Sequence, residues 1–481
     1  MPRSLYDEET PLLHGDTQFT PLPWFQFSLV LLVKFAEPLT AQVISPFTPQ
    51  LIRDIGITHG NESQVGYYVG MMQSLFFLTE ALTILQWSRL SDRIGRKPVV
   101  LFGTLGLSMS MYSFGLSKTF WGLVLTRSLS GALNGNTGVV KSMIAEMTDS
   151  TNIAQAYAYM PITWSAGGAI GPLIGGILAR PAERFPRLFG NSEFLKKFPY
   201  FLPCAIPATS TALTFVLALF CLKETFPNPQ PISNFLRFWG KSNERDLRTN
   251  TFENTSNDAV ALSNNRSDED SPLPLRQVLT YKVVLAAINY AAISLIEIAL
   301  RAVQPLFFAT PIHFGGLGLS PPTIGKILSF LGILNGLFQV FFFAKIHSCW
   351  GTRTVFLGGV FACLPCFALF PVINLLARHQ GYSIAVWVAV SFQIVAFVFV
   401  NVSFGAIIIF IAAASPNRAS LGATIGFSQM LVSSTRAIGP AMANSLFSFS
   451  IERGYLGGYL VYYILLVVTG VCIYLGCLLP R

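Results

Sequence analysis

The sequence predicts an all-α membrane protein with twelve transmembrane helices in two pseudo-symmetric six-helix bundles. Three observations lead to this prediction. The 481 residues are 52% hydrophobic and only 11% charged, whereas an ordinary soluble protein has about 25% charged residues. Twelve apolar runs are long enough to cross a membrane, and two segments of the first half recur in the second. The composition excludes a soluble enzyme, a nucleic-acid-binding protein and a disordered scaffold, because it cannot cover a water-exposed surface.

The predicted spans are the apolar runs that reach the length of about 20 residues needed by a membrane-crossing helix. They lie at 24–46, 66–87, 98–117, 120–143, 154–179 and 200–222, and then at 282–308, 322–344, 354–377, 383–411, 419–447 and 455–479. Residues 1–23 are polar, acidic and proline-bearing, so we interpret them as a cytosolic tail and expect no cleavable signal peptide.

The longest polar stretch, residues 224–278, predicts a cytosolic linker between bundles at 24–223 and 279–481. It is rich in Asn, Ser, Asp and Arg and has no apolar periodicity. With a cytosolic N-terminus, the inside segments carry 16 Lys and Arg residues and the outside loops carry nine. Since positive residues favour the cytosolic side, both termini are expected to be cytosolic.

Two sequence repeats indicate duplication of a six-helix unit. Residues 87–103, after the second predicted span, align with 343–359 after the eighth, and both segments hold glycine at 95/351 and 103/359. Ala-Ile-Gly-Pro at 169–172 recurs at 437–440. Secondary transporters are often built from such repeats, with the substrate site at the repeat interface near the bilayer midplane.

Three segments carry a resemblance to a known family. Residues 88–97 read SRLSDRIGRK, which resembles the loop signature G-x-L-x-D-R-x-G-R-K of the major facilitator superfamily, with Ser88 in place of its first glycine. Residues 125–131 (LTRSLSG) resemble its helix-four signature, and residues 167–176 (GGAIGPLIGG) resemble its helix-five antiporter signature. The signatures stand in the family's order, and the resemblance covers the whole chain.

Within that superfamily the chain resembles the drug:proton antiporter branch, and most closely the fungal and plant zinc-induced-facilitator-like group. The segments that carry this likeness are AEPL at 36–39, SPF at 45–47, Trp87, and ARPAERFP at 179–186. The cysteine-rich N-terminal motif associated with plant members is absent.

The resemblance implies the major facilitator fold and a secondary active transporter that works by alternating access. We expect proton-coupled antiport, as export or vacuolar sequestration, of a small organic compound, drug or metal chelate. The alternatives are a proton symporter or uniporter for nutrient uptake and a non-transporting membrane sensor on the same fold. The expected partners are the substrate, protons and the lipid bilayer, without nucleic acid, and the expected state is a monomer.

Several features bear on chemistry and location. The five histidines have no catalytic partners, and no nucleotide-binding P-loop is present, so we expect no enzyme activity. We expect no cofactor and no metal site, because the C-x-x-C at Cys363 and Cys366 has no His or carboxylate neighbours. Residues 8–13 (EETPLL) resemble an acidic dileucine sorting signal, which makes the vacuolar and plasma membranes the two expected locations.

The loop signature predicts a conformational latch. Asp92 is expected to face the positive N-terminus of the eleventh span near Leu421, and Arg96 to pair with Glu146. Such contacts would hold the two halves together on the cytosolic side. The alternative is that these charges only set membrane topology. The residues assigned to the latch are Asp92, Arg93, Gly95, Arg96, Lys97 and Glu146.

The helix-five signature predicts two smooth helix faces. Small residues at spacings of four let neighbouring backbones approach closely. Pro172 is expected to bend this helix at the interface between the halves and to limit ion leak, and packing alone is the alternative. The residues of this motif are Gly167, Gly171, Pro172, Gly175 and Gly176, together with Gly168 on the second face.

Charged residues inside predicted spans are the candidates for proton coupling, because charges at membrane depth are costly. Lys34 and Glu37 share one helix face, as do Glu297 and Arg301. Burial favours the neutral carboxyl and a nearby cation favours the carboxylate, so such a pair can load and release a proton. Static ion pairs are the alternative. The candidates are Glu37, Glu297, Glu80, Arg127, Lys34 and Arg301, and Lys141 and Arg436 complete the buried charges.

Polar and aromatic residues inside the spans are the candidates for lining a substrate cavity. Each could equally serve helix packing or interhelical hydrogen bonding. These candidates are Gln42, Asn134, Asn136, Tyr159, Trp164, Asn289 and Gln304.

Overall fold

A computed structural model describes residues 20–149, 152–226, 275–416 and 421–480. Within these ranges the chain is helical and has no strand. The first half contains α1 (Trp24–Gln42), α2 (Thr48–Ile55), α3 (Val65–Ile94), α4 (Arg96–Leu116), α5 (Phe120–Leu133), α6 (Asn136–Met147), α7 (Ile153–Leu178), α8 (Pro181–Arg184), α9 (Pro186–Phe189), α10 (Glu193–Lys197) and α11 (Phe201–Cys221). The second half contains α12 (Leu275–Val278), α13 (Tyr281–Ala309), α14 (Pro321–Phe341), α15 (Phe343–Phe361), α16 (Cys363–Gln380), α17 (Ile384–Ala414), α18 (Leu421–Arg453) and α19 (Leu460–Cys477).

The twelve predicted spans all coincide with helices. Eight helical stretches are long and apolar enough to cross a membrane by length and composition, and the bent helix α3 makes nine. The other three are α1, the pair α5 and α6, and α18. Each of these three spans carries at least one charged residue, for example Lys34, Arg127 and Arg436.

The fourth predicted span, 120–143, contains a break between α5 and α6. A Cβ on Gly135 would lie 2.4 Å from the Trp87 ring, so the side chain of Trp87 fills the space at the break. The Trp87 indole N–H donates to the Ala132 carbonyl at 2.7 Å and satisfies a backbone group that the break would otherwise leave unbonded. The ninth predicted span, 354–377, crosses the junction of α15 and α16.

The repeat seen in the sequence has a structural counterpart at two glycines. Gly95 ends α3 with φ +100° and ψ 166°, and Gly351 inside α15 has φ +73° and ψ 160°. Positive φ is accessible to glycine at little cost. Both halves therefore turn sharply at the same position of the repeat. We call the end of the molecule that carries Gly95 and Gly351 the signature face.

The opposite end carries Asp54, Arg180 and Tyr200, and we call it the Arg180 face. The two halves meet along α7 with α14 and along α3 with α18. On the Arg180 face, Arg53 donates to the Ala309 carbonyl at 3.0 Å and Tyr67 donates to Glu452 at 3.3 Å. These contacts join the halves, so the molecule is closed at this face.

Two predicted segments lie largely outside the described residues. The N-terminal tail is described only from residue 20, so the dileucine pattern at 8–13 is outside the structure. Of the predicted linker at 224–278, the described ranges contain only residues 224–226 and the helical turn α12 (Leu275–Val278). The proposed bundle boundaries stay predictions.

Candidate functional site

A cavity lies between the halves where α1, α7, α13, α14 and α17 meet. Three of its lining residues, Gln42, Trp164 and Gln304, are sequence-predicted cavity candidates, and Arg301 is a predicted coupling candidate. We call this space the central cavity. Its full lining is Gln42, Ser45, Trp164, Ser165, Gly168, Pro172, Arg301, Gln304, Pro305, Leu328, Leu331, Gly332, Asn335, Phe397 and Asn401.

The α13 charges form an ion pair at this cavity. The Arg301 Nε donates to the buried carboxylate of Glu297, one helical turn earlier. The Nη2 of Arg301 donates to Asn401 Oδ1 at 3.2 Å, and its guanidinium stacks 5.3 Å from the centre of the Phe397 ring. Asn401 and Phe397 both come from α17, so that helix orients the guanidinium at the cavity wall.

The α1 charges form a second pair. Lys34 Nζ lies 2.6 Å from Glu37 Oε2, and each side chain is 11% exposed. Lys141 of α6 lies within electrostatic range of both residues and of Arg436. Arg436 of α18 also acts on Arg301. Arg436 thus links the charges of the two halves, since it lies within electrostatic range of Lys141 and of Arg301.

Glu80 and Arg127 lie inside the first half. Asn134, at the break after α5, donates to Glu80 at 3.2 Å. Arg127 is buried, with its guanidinium 4.5 Å from the centre of the Phe76 ring. Its Nε has no hydrogen-bond partner among the described residues. A role for Arg127 in tuning a carboxylate stays a prediction.

The remaining cavity candidates do not line the central cavity. Asn136 donates to Thr104 at 3.3 Å, and Asn289 donates to the carbonyls of Leu285 and Leu475 at 2.9 and 3.2 Å. These amides therefore join neighbouring helices. The Tyr159 ring packs edge-on against Trp24 and Phe27, with centroids 5.6 and 5.9 Å away.

The loop signature organises the signature face of the first half. Arg96 lies 2.5 Å from Asp92 and 2.9 Å from Glu146. The Asp92 side chain is 56% exposed. Its expected neighbour near Leu421 adjoins residues 417–420, which lie outside the described ranges. The latch across the two halves stays a prediction.

Glu224 contacts this loop from the end of the sixth span, and the sequence did not predict this contact. Its carboxylate accepts from the backbone N–H groups of Arg96 and Lys97 at 2.8 and 3.0 Å. A carboxylate at a helix N-terminus satisfies free N–H groups and interacts favourably with the helix dipole. Glu224 follows the sixth span, and no spacing rule links it to a loop that lies 128 residues earlier.

The helix-five motif packs on both faces that the spacing predicts. On the first face, a Cβ at Gly167 would lie 2.7 Å from Pro38, and one at Gly175 would lie 1.7 Å from the Val43 carbonyl of α1's C-terminal end. Gly171 lies between them against the same helix. On the second face, a Cβ at Gly176 would lie 2.9 Å from Gly325 of α14.

The Arg180 face carries a charged network that the sequence did not predict. Arg180 donates to Asp54 at 3.1 and 2.5 Å, and Tyr200 donates to the same carboxylate. Burial, reinforced by Asp54, raises the pKa of Tyr200 above its usual range. Arg184 donates to the Gly176 and Ile177 carbonyls at the end of α7. The loop between α7 and α11 carries five basic residues. Two of them, Arg180 and Arg184, therefore hold the Arg180 face together.

Comparison with known proteins agrees with the architecture. The Major Facilitator Superfamily model matches residues 30–440. The Aspergillus fumigatus protein named major facilitator superfamily multidrug transporter mfsB is 27% identical over 92% of this chain and 81% of its own length. The Arabidopsis thaliana protein ZINC INDUCED FACILITATOR 1 is 28% identical over 94% of this chain and 91% of its own length.

Among solved structures, a bacterial homologue of the human lysosomal transporter Spinster, described as inward-facing and occupied, superposes with a TM-score of 0.65. It is 14% identical and covers 96% of this chain and 97% of its own, so it supports the fold alone. The repeated helices, the signatures and the family match over most of the length agree. The chain belongs to the major facilitator superfamily of membrane transporters.

Proposed function

We propose that this transporter exchanges protons for a small organic compound, by export from the cytosol or sequestration into the vacuole. As a member of the superfamily it is an integral multi-pass membrane protein and not an enzyme. The observation that carries the proposal is a carboxylate–cation pair in each half, Lys34–Glu37 and Glu297–Arg301, on the two helices α1 and α13 that contribute Gln42 and Arg301 to the central cavity. The multidrug transporter mfsB among the relatives supports export.

The paired carboxylates give a physical route to coupling. A carboxylate beside a cation is stabilised in its ionised form, whereas an isolated buried carboxylate favours the neutral form. A rotamer change that turns the Lys34 side chain away from Glu37 as the cavity opens therefore favours proton uptake, and its reversal favours release. If the substrate can occupy the site only after the proton leaves, the two are exchanged. Glu37 and Glu297 are the proposed proton carriers, and Glu80 is the next candidate.

Alternation between two closures supplies the movement. In this conformation the halves contact each other at the Arg180 face through Arg53 and Ala309. In the opposite conformation we expect those contacts to part and Asp92 to approach the N-terminus of α18. The positive-residue bias supports placing both termini and the signature face in the cytosol. The vacuolar and plasma membranes remain the two proposed locations, and the proposed active unit is a monomer.

The test is compound-driven proton movement in liposomes that hold the purified protein and an entrapped pH-sensitive dye. A pH gradient is imposed, and drugs, organic acids and metal chelates are added one at a time. The wild type is compared with Glu37→Gln. Glu193→Gln is the matched control, because Glu193 is 94% exposed in a surface loop. We expect at least one compound to move protons out of the liposomes as the compound itself moves in. We expect this proton flux to vanish in Glu37→Gln and to persist in Glu193→Gln.

Other results would change the proposal in defined ways. Flux that survives Glu37→Gln would assign the proton to Glu297 or Glu80. Movement of compound and proton in the same direction would favour a symporter. Binding by folded protein without any flux would contradict antiport and favour a sensor or a uniporter.

A further inference from the structure

The central cavity and its surroundings contain more positive than negative charge. Arg436 of α18 lies within electrostatic range of Lys141 in the first half and of Arg301 in the second. The carboxylates near them are Glu37, which lies beside Lys34 and within electrostatic range of Lys141, and Glu297, which lies beside Arg301. The described groups of this cluster are therefore four cations, Lys34, Lys141, Arg301 and Arg436, and two carboxylates.

The remaining charges at membrane depth do not remove this excess. Glu80 and Arg127, both inside the first half, add one charge of each sign. An excess of one sign of charge at membrane depth attracts the opposite charge. The excess of two cations over carboxylates in this cluster therefore disfavours a purely cationic substrate and favours a negatively charged group.

The cavity wall also offers an unused donor. The side-chain amide nitrogen of Gln304 has no hydrogen-bond partner among the described residues, although Gln304 is only 1% exposed and lines the cavity. A buried polar group without a hydrogen-bond partner is destabilising. Arg301, one turn earlier on α13, engages Glu297 through Nε and Asn401 through Nη2. Since a guanidinium has five N–H donors, it can bind an oxyanion without releasing either partner.

We propose that the central cavity recognises an anionic oxygen group, such as a carboxylate, on an otherwise partly apolar small molecule. Arg301 and Gln304 bind the oxygen atoms, and Arg436 and Lys141 supply the compensating charge. The Trp164 and Phe397 rings and the Leu328 and Leu331 side chains form the apolar wall for the remainder of the molecule.

The sign of proton coupling adds a second requirement, which rests on the proposed antiport. A substrate with only an anionic group would bind more tightly when Glu37 or Glu297 is protonated, and it would then travel with the proton. To exchange with a proton, the substrate must also place a positive group beside one of these carboxylates. A zwitterion, with an oxyanion and an amine, meets both conditions.

Three fluorescent probes with one fluorophore and one linker separate these requirements. Nε-dansyl-lysine is a zwitterion, dansylcadaverine is its decarboxylated cationic analogue, and 6-(dansylamino)hexanoate is its anionic analogue without the α-amine. Binding to the full-length protein in lipid nanodiscs is measured by energy transfer from tryptophan to dansyl at fixed ionic strength. Since a charge-assisted hydrogen bond contributes about 1.5–3 kcal/mol, we expect Nε-dansyl-lysine to bind at least about ten-fold more tightly than dansylcadaverine.

Substitutions of the charged residues test which of them cause the tighter binding of Nε-dansyl-lysine. Arg436→Gln is expected to remove most of the advantage of Nε-dansyl-lysine while leaving dansylcadaverine binding unchanged or stronger. Lys141→Gln is the second variant, in case Arg436→Gln does not fold. Lys196→Gln, a substitution of a half-exposed lysine in the loop of the Arg180 face, is the charge-matched control and should have no effect. Dansylcadaverine binding as tight as that of Nε-dansyl-lysine, or no binding of any probe, would overturn the proposal.

The same titration separates this inference from the proposed function. In a weakly buffered sample with a pH indicator, antiport predicts that Nε-dansyl-lysine releases protons on binding. If the two carboxylate probes bind tightly but protons are taken up, the oxyanion site stands and antiport is wrong.

Discussion

Asp54, Arg180 and Tyr200 connect three separate parts of the first half at one point of the Arg180 face. Tyr200 is 4% exposed, and its hydroxyl donates to the Asp54 carboxylate. A hydrogen bond to a charged group contributes about 1.5–3 kcal/mol. Tyr200→Phe should therefore lower the thermal midpoint by several degrees at pH 7, as measured by a thiol-reactive or intrinsic-fluorescence melt.

The pH dependence of this contribution has a definite sign. The pKa of Tyr200 is raised by burial first and by Asp54 second, so the folded protein favours the neutral phenol more than the unfolded chain does. The stabilisation is complete below the unfolded pKa of about 10 and is lost as the pH rises above it. The wild type and Tyr200→Phe should therefore converge in stability above pH 10. A constant difference up to pH 11 would contradict this assignment.

Glu224 gives a second prediction for a single residue. It accepts from two N–H groups at the start of α4, and loss of such a cap costs about 0.5–2 kcal/mol. Glu224→Ala should lower the thermal midpoint, and Glu224→Gln should recover part of the loss, because an amide oxygen still accepts but carries no charge. Equal stability of Glu224→Ala and the wild type, in the same melt, would show that the cap does not contribute.

Single residues were predicted from the sequence where their partners are near in the chain. The pairs Lys34–Glu37 and Glu297–Arg301 follow from helical spacing, and both occur. Asp54 and Arg180 are 126 residues apart, and no sequence pattern around either residue identifies the other as its partner. A long-range ion pair of this kind depends on how the helices assemble, and periodicity carries no such information.

At the scale of elements, α7 and α18 use the repeated Ala-Ile-Gly-Pro in the same way. A Cβ at Gly325 of α14 would lie 2.4 Å from the Pro172 carbonyl of α7. A Cβ at Gly70 of α3 would lie 2.9 Å from the Pro440 carbonyl of α18. Each proline segment therefore receives a glycine of the opposite half, and both contacts exist only while the halves are together.

This contact predicts a conformational shift. Gly325→Ala forces overpacking that costs about 1–3 kcal/mol, which corresponds to a shift of roughly five- to 150-fold in a two-state equilibrium. Distances between spin labels placed on the two halves at the Arg180 face are measured by electron-spin resonance. The long distance should be populated by a larger fraction of Gly325→Ala molecules than of wild-type molecules. Gly358→Ala is the matched control, since a Cβ there meets nothing within 4 Å. The same distance distribution in Gly325→Ala and the wild type would contradict the contact's role.

The elements themselves were largely predictable, because apolar length and glycine spacing are local properties of the sequence. The break between α5 and α6 was not, since residues 120–143 form one apolar run. Gly135, between two asparagines, was the only local signal. The deciding factor was the Trp87 ring, which belongs to another helix and occupies the space beside Gly135.

At the scale of the whole molecule, the two halves form a central cavity and are joined at the Arg180 face. The sequence repeat predicted two related halves, but it did not predict which face would be closed. That choice depends on the balance of contacts at the two faces, and a repeat encodes the similarity of the halves rather than this balance.

The most direct test of alternating access is a disulfide that locks the Arg180 face. A Cβ on Gly66, at the start of α3, would lie 2.3 Å from the Ser448 hydroxyl near the end of α18, so Gly66→Cys with Ser448→Cys brings two thiols of opposite halves within bridging range. Ser110→Cys with Ser130→Cys is the control, since these hydroxyls lie 2.7 Å apart inside the first half. Both pairs are placed in a background with serine at the exposed Cys349 and Cys477.

Transport of a compound that drives proton movement is then measured before oxidation, after oxidation and after reduction. Alternating access predicts that oxidation of the cross-half pair stops transport and that reduction restores it, while the control pair transports in every state. Undiminished transport through the verified cross-half disulfide would contradict the account.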